Sequence, residues 1–367
     1  MNSNQDTCEI IIIGAGIIGL AIGAELSRKG REVIILESES KTVQHASSHN
    51  SEVIHSGVYY EQNSLKAKFC VEGNFLLYDY CKKNGIDFRR SGKLIVANNE
   101  KELSSIEQLS INAKNNSVNE ARILNKKELL SLEPSLIAEY ALFIESTGII
   151  DSHAFALSLE AEIENSGNYI ITSTTVTNGQ YNGNEWELEI GRQDSYLINS
   201  EIVINASGYN SLDLANKFGL NNLPETTYVK GHYYKYHGKN PFNHLIYPLP
   251  EKHGLGVHTS SDIDNSLRFG PDAEVVNEPN YYFDATEERF SRFTESIGKY
   301  FNGFDSNLLK EDFCGIRARI GATHKDSDFS ILFEKDHGLE GFINVAGIES
   351  PGLTSSLSLA KYVAQGL

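Results

Sequence analysis

The stretch "CEIIIIGAGIIGLAIGAELSRKGREVIILE", residues 8–37, leaves a chain few ways to fold. Residues 10–13 are an unbroken β-branched run, the pattern of a parallel strand buried on both faces at the centre of a sheet. Gly14, Gly16 and Gly19 follow in GxGxxG spacing. The first glycine permits a tight turn, the second lets the backbone approach a pyrophosphate, and the third allows a helix to pack closely on the strand. The helix N-terminus, with Ile17 and Ile18 in its first turn, is then placed to hold phosphates. A second strand, "VIIL", ends in Glu37, about 20 residues past the glycines, where an acid bonds an adenosine ribose and disfavours a 2′-phosphate. A dinucleotide is expected here, with Ser38 beside Glu37 in the contact set.

A plain NAD dehydrogenase would continue with further βα repeats. This chain gives way instead to "SSHNSEVIHSGVYY", residues 47–60, dense in hydroxyl, imidazole and amide groups. A long polar cofactor needs such donors where a glycine turn no longer reaches, which favours FAD. Ser47 and Ser48 are expected near the pyrophosphate, with His49, Asn50 and Ser51 as flavin contacts and His55 at the end nearest the chemistry. Later, "EIVINASGYNS" reads as a strand ending in Ala206, Ser207 and Gly208, small residues that let a turn lie against a bound dinucleotide. Val176 completes this part of the expected FAD set.

With 32 basic and 49 acidic residues, the net charge of −17 argues against a nucleic-acid partner. Any anionic substrate must be met by local cations. The four cysteines, Cys8, Cys70, Cys81 and Cys314, lie far apart without a CxxC pair, which suits reduced thiols and argues against a disulfide framework or a zinc site. No basic segment precedes the first apolar run, and glycines interrupt that run, so neither a signal peptide nor a membrane span is expected.

Residues 61–84 carry helical spacing, "FRRSGKLIVA" reads as a strand, and residues 101–132 read as polar helical material ending near Pro134. A turn and an amphipathic helix are expected in "GIIDSHAFALSLEAEIENSG". From about Tyr228 short alternating runs, "YVKGHYYKYHG", "HLIYPLP" and "GLGVHTS", predict an antiparallel sheet. The fold class is α/β: a Rossmann-like FAD-binding domain, discontinuous over 1–84, 145–221 and 314–367, with a mixed or antiparallel β-sheet substrate domain over 85–144 and 222–313.

Together these pieces resemble the D-amino-acid-oxidase-like FAD oxidoreductases, and within them the L-2-hydroxyglutarate dehydrogenase branch. The resemblance covers nearly the whole chain and rests on "HNSEVIHSGVYY", "SLKAKFCVEGNFLLYDYC", "SGKLIVA", "GIIDSHAFA", "YPLPE", "GLGVHTS", "GIRAR" and "GIESPGLTSSL". It implies oxidation of a 2-hydroxy acid to the 2-oxo acid by hydride transfer to flavin N5. The electrons then pass to a quinone, an electron carrier or oxygen. An amino-acid or amine oxidase using oxygen is the alternative. The expected setting is the cytoplasm, with peripheral contact at the inner membrane face left open. Two departures stand out: His232 follows Gly231 where relatives carry an acid or a small residue, and Ala318 follows "GIR" in place of proline.

A 2-hydroxy acid needs its carboxylate fixed and its hydroxyl proton removed. Arginine binds both oxygens of a carboxylate, and Arg317 of "GIR" resembles the arginine that does so in this superfamily; of Arg317 and Arg319 only one is expected to reach the substrate. His55 and His258, on "VIHSG" and "GVHTS", are the candidate bases. Tyr247 is a candidate wall and hydrogen-bond donor. Lys66 and Lys68 are expected on a solvated helix face. His49 is either a contact or, as in some distant relatives, a covalent flavin attachment point. Gly352, Leu353 and Thr354 open a terminal helix whose N-terminus is expected to stabilise negative charge on the reduced flavin.

Overall fold

The computed structural model describes residues 7–191, 195–249, 256–321 and 327–367. The last two residues of "YPLPE" and the first two of "GLGVHTS" lie outside the described residues. The chain divides into two compact units, Met1–Ser48 with His153–Thr227 and Ala318–Leu367, and His49–Ser152 with Tyr228–Arg317. No described helix is long and apolar enough to cross a membrane.

The first unit is built on an eight-stranded mixed sheet. Its centre is the strand Cys8–Ile13, parallel to Val33–Leu36 on one side and to Tyr196–Asn205 on the other. Val33–Leu36 continues in parallel to Tyr169–Ile171, and Tyr196–Asn205 to Phe342–Ala346. The long strand Tyr196–Asn205 changes partner along its length. Its first half pairs antiparallel with Trp186–Ile190, which in turn pairs with Val176–Tyr181. Ile11, Ile13, Leu36, Trp186, Val203, Phe218 and Phe342 form one apolar cluster against this sheet, with the Trp186 ring stacked on Phe218 at 5.4 Å. The helices Ile17–Arg28 and Gly352–Gln365 pack against each other.

The second unit holds a sheet of order Leu245–Tyr247, Lys93–Ala97, Tyr140–Ile144, Arg122–Asn125. Strand alternation sorts its side chains between two cores. Leu94, Val96, Ala141 and Ile246 join one with Tyr234, Tyr236, Phe269 and Phe301. Ile95, Ala97, Leu142, Leu245 and Tyr247 join the other with Val53, Val58 and Ile106. A second sheet sets Thr226–Tyr236 between Leu267–Gly270 and Glu274–Val276, with His258–Ser261 at its edge, and Leu309–Ile320 also pairs with Thr226–Tyr236.

Several expectations change. The first unit parts at Ser48 rather than near residue 84: Val53–Ile54 pairs with Gly148–Ile150, and this long-range pairing holds residues 49–84 in the second unit. The polar stretch 101–132 is two helices, Glu100–Asn115 and Lys126–Leu132, separated by the strand Arg122–Asn125. Asn125 caps the second helix in a capping box with Glu128, which is why the helix restarts there. The run "HLIYPLP" leaves the antiparallel sheet, and its strand Leu245–Tyr247 lies parallel to Lys93–Ala97. The strand Gly148–Ile150 replaces the expected turn before the helix Ser152–Asn165.

Candidate functional site

In the first unit, the glycine turn is as tight as its spacing implies. Gly14 has φ +102°, and a Cβ there would lie 2.7 Å from the Ala206 carbonyl oxygen, so the Ala206–Ser207 turn lies directly against it. A Cβ on Gly19 would come within 1.9 Å of the Gly14 carbonyl oxygen, which only a bare helix–strand contact avoids. Gly16 caps the helix Ile17–Arg28 without a side chain, and no acid occupies the first turn. The Ile17 amide donates to Ser47 Oγ at 2.9 Å, which brings that expected contact to the helix N-terminus beside Ile18. Ser48 turns away, its hydroxyl donating to the His45 carbonyl.

Glu37 is buried. Its Oε2 accepts from the Ala15 amide at 2.7 Å, and its Oε1 from the Glu39 amide at 2.9 Å and the Ser38 hydroxyl at 3.2 Å. Each carboxylate oxygen can accept two bonds, so Oε2 keeps capacity for a ribose hydroxyl. Ser207 donates to Asn205 Oδ1 at 2.7 Å, and Gly208 has φ +64°. Val176 packs in the apolar cluster with Ile13 and Leu36 and is a core residue. The helix beginning at Gly352 also lacks an acid in its first turn and a side-chain cap; Thr354 is fully buried and Leu353 half-buried. Arg319 forms a buried ion pair with Glu349, Nε to Oε1 3.5 Å. Residues two apart on a strand share a face, so Arg319 is set apart from Arg317 by this acidic partner and not by direction.

The second unit gathers His55, Tyr247, His258 and Arg317. Tyr247 and His258 stack at 3.8 Å, with their planes 9° apart. His258 Nδ1 faces the Thr259 carbonyl at 3.2 Å, so in the neutral ring Nδ1 carries the proton and Nε2 the lone pair. Burial, with Arg317 and Lys93 nearby, holds the His258 pKa down at about 3. His55 is likewise held well below the ordinary histidine value, first by burial and then by Lys93, His258 and Arg317. Both imidazoles are therefore neutral. Tyr233 lies between Ser51 and Arg317, hydrogen-bonded to each, and burial outweighs both contacts in raising its pKa.

Lys93 is the member that sequence reasoning missed. It is 1% exposed, with its ammonium 4.6 Å from the Tyr59 ring centre and 4.8 Å from that of Tyr247. Burial pushes its pKa down to about 7, with Cys70 nearby pulling weakly the other way. Among the described residues no acid forms an ion pair with Lys93 or Arg317. The hydroxyls of Tyr59 and Tyr247 are buried without a hydrogen-bond partner. The available signal was a lysine opening an otherwise wholly apolar strand, "KLIVA". Lys66 is also buried, contrary to the solvated face expected for it, whereas Lys68 is exposed.

His49 lies with its ring 4.5 Å from that of Tyr281, and a Cβ on Gly315 would come within 2.4 Å of the His49 carbonyl oxygen. Asn50 Oδ1 accepts from the Glu52 amide at 2.8 Å. His232 lies on the opposite face of its strand from Tyr233, bonded to Asp272 at 2.8 Å and edge-on to Phe283. Its departure from the family pattern therefore lies away from the His55, His258 and Arg317 cluster.

A glycine cradle, an uncapped helix N-terminus and a buried terminal acid fit a bound FAD, and comparison with known proteins agrees. Residues 9–366 match the family described as FAD dependent oxidoreductase, and the chain belongs to it. It is an oxidoreductase whose cofactor is FAD. The chain is 34% identical to an Arabidopsis thaliana protein named L-2-hydroxyglutarate dehydrogenase, mitochondrial, over 98% of this chain and 83% of that one. It is 31% identical to a glycerol 3-phosphate dehydrogenase of Caloramator mitchellensis, over 97% and 72%. Among solved structures, L-alpha-glycerophosphate oxidase from Mycoplasma pneumoniae with FAD bound is similar at a TM-score of 0.90 and 26% identity, covering 99% of this chain and 95% of that one.

Proposed function

We infer that the chain oxidises the C2 hydroxyl of a small 2-hydroxy acid, L-2-hydroxyglutarate foremost, to the 2-oxo acid. The observation that carries this reading is a half-buried guanidinium, that of Arg317, without an acidic partner among the described residues, grouped with two neutral imidazoles. Arg317 fixes the C1 carboxylate through its fork, held in place by the Tyr233 hydroxyl. His55 and His258 are the available acceptors for the hydroxyl proton. Their pKa values are low partly because Arg317 and Lys93 are near, so an anionic substrate that offsets those cations raises the affinity of the imidazoles for that proton. Tyr247 fixes the plane of His258 by stacking.

FAD, when bound, supplies the two-electron acceptor to which the C2 hydrogen leaves as hydride. Gly14, Gly16, Ile17, Ile18, Gly19, Ser47, Ala206, Ser207 and Gly208 would hold its phosphates, and Glu37 with Ser38 its ribose. His49, Asn50, Ser51, Gly352, Leu353 and Thr354 would serve its flavin half. Proteins matched at 30% identity or more carry names of hydroxy-acid or glycerol-phosphate dehydrogenases. The amino-acid enzyme glycine oxidase matches at 19%, which speaks to fold alone, so the amino-acid oxidase alternative is not favoured. Glycerol 3-phosphate, also an anion with a secondary hydroxyl, is the second reading.

Anaerobic flavin bleaching by L-2-hydroxyglutarate, 2-hydroxybutyrate, amino acids and glycerol 3-phosphate decides the matter. Bleaching by a 2-hydroxy acid, with kcat/KM lowered roughly a hundredfold or more in Arg317→Ala, is the expected result. Bleaching by glycerol 3-phosphate or amino acids alone would overturn it.

A further inference from the structure

Resting on that reading, we propose that Lys93 is a second anion anchor, which selects 2-hydroxy acids bearing a distal carboxylate over those with one carboxylate. Arg317 is sufficient for the C1 carboxylate that all 2-hydroxy acids share. Lys93 is a second cation beside the same two imidazoles, and it is fully buried. Lysine is almost never fully buried unless it is paired, yet no acid pairs with Lys93 among the described residues. What surrounds its ammonium carries no negative charge: the rings of Tyr59 and Tyr247, the thiol of Cys70, and the neutral imidazoles of His55 and His258. Two tyrosine faces hold the ammonium without neutralising it. The hydroxyls of the same two tyrosines are buried and unbonded, so they can donate to an arriving oxyanion.

A group of this kind is complementary to a ligand that brings the missing negative charge. One carboxylate answers to Arg317 and a second, at the far end of a short aliphatic chain, answers to Lys93. The register supports this division. Lys93 and Tyr247 project from the same face of the parallel pair, Lys93 opposite Leu245 and Tyr247 opposite Ile95, so the ammonium and the ring that stacks on His258 share a face.

The test is a selectivity ratio measured on the holoenzyme. For wild type, kcat/KM on L-2-hydroxyglutarate is compared with that on L-2-hydroxybutyrate, which lacks the distal carboxylate. The binding of 2-oxoglutarate is compared with that of 2-oxobutyrate by perturbation of the flavin spectrum. In Lys93→Met the preference for the dicarboxylate should fall by about 30-fold or more, since one partner of a buried charge pair has been removed. An unchanged ratio would overturn the proposal. Loss of all flavin bleaching by 2-hydroxy acids in the wild type would instead overturn the reading on which it rests. A wild-type measurement covers the case in which the variant does not hold FAD. The binding preference for 2-oxoglutarate over 2-oxobutyrate should decline between pH 6 and pH 10 as Lys93 loses its proton, and a flat preference over that range would refute the proposal.

Discussion

Lys93→Met should make the ligand-free protein more stable. Burial lowers the lysine pKa from 10.5 to about 7, and each unit corresponds to about 1.4 kcal/mol, so the charged form costs the folded state about 5 kcal/mol. Methionine has similar length and no charge. It forfeits the contacts with the Tyr59 and Tyr247 rings, worth about 1–2 kcal/mol, which leaves a net gain of about 3 kcal/mol. The sign follows from linkage. Below pH 7 the lysine is protonated in both states and the penalty is fully present. Between pH 7 and 10.5 the folded protein sheds the proton while the unfolded chain keeps it, so wild-type stability rises, and above 10.5 the penalty is gone. The gap between variant and wild type should therefore be widest near pH 6 and should shrink towards pH 10. For a cooperative unit of this size the gap at pH 6 is a midpoint rise of roughly 6–12 °C. Differential scanning calorimetry at fixed FAD concentration reads it. A lower midpoint for the variant at pH 6, or a gap independent of pH, would refute the reasoning.

Three further outcomes are expected. Gly19→Ala should yield protein without the yellow absorbance of bound flavin, because its methyl would meet the Gly14 carbonyl; the ratio of absorbance at 450 nm to that at 280 nm measures the loss. His258→Phe preserves a ring against Tyr247 but removes a proton acceptor, so if His258 is the base, kcat for hydroxy-acid oxidation should fall by roughly 10²–10⁴ with a smaller change in KM in steady-state assays. Trp186→Ala empties the site where Phe218 and Phe342 meet, and urea denaturation should show a loss of about 3–5 kcal/mol.

What could be read from the sequence was what short-range pattern dictates. Gly14, Gly16, Gly19 and Glu37 declare a dinucleotide turn because one strand, one turn and one helix create the whole requirement within thirty residues. His55, Tyr247, His258 and Arg317 could be singled out as chemical types, but their grouping depends on two sheets whose strands are far apart in sequence. Lys93 was not legible because a lysine in isolation reads as a solvated stem. Its burial follows from the apolar cores on both faces of its sheet, which only the pairing with Leu245–Tyr247 and Tyr140–Ile144 creates. The boundary at Ser48 escaped for the same reason. It rests on Val53 pairing with Ile149, a contact that no local periodicity announces.

The strand order of the first unit bears on synthesis. Cys8–Ile13 and its neighbour Val33–Leu36 are made close together, but the strand on the other side of Cys8–Ile13, Tyr196–Asn205, comes far later, and Phe342–Ala346 and the helix against Ile17–Arg28 later still. A nascent chain thus carries an isoleucine-rich strand with one open edge until Tyr196–Asn205 has been made, the kind of exposed segment that chaperones shield. The Ala206–Ser207 turn against Gly14 arrives with that same strand, so a supply of FAD during expression should improve yield by trapping the completed sheet.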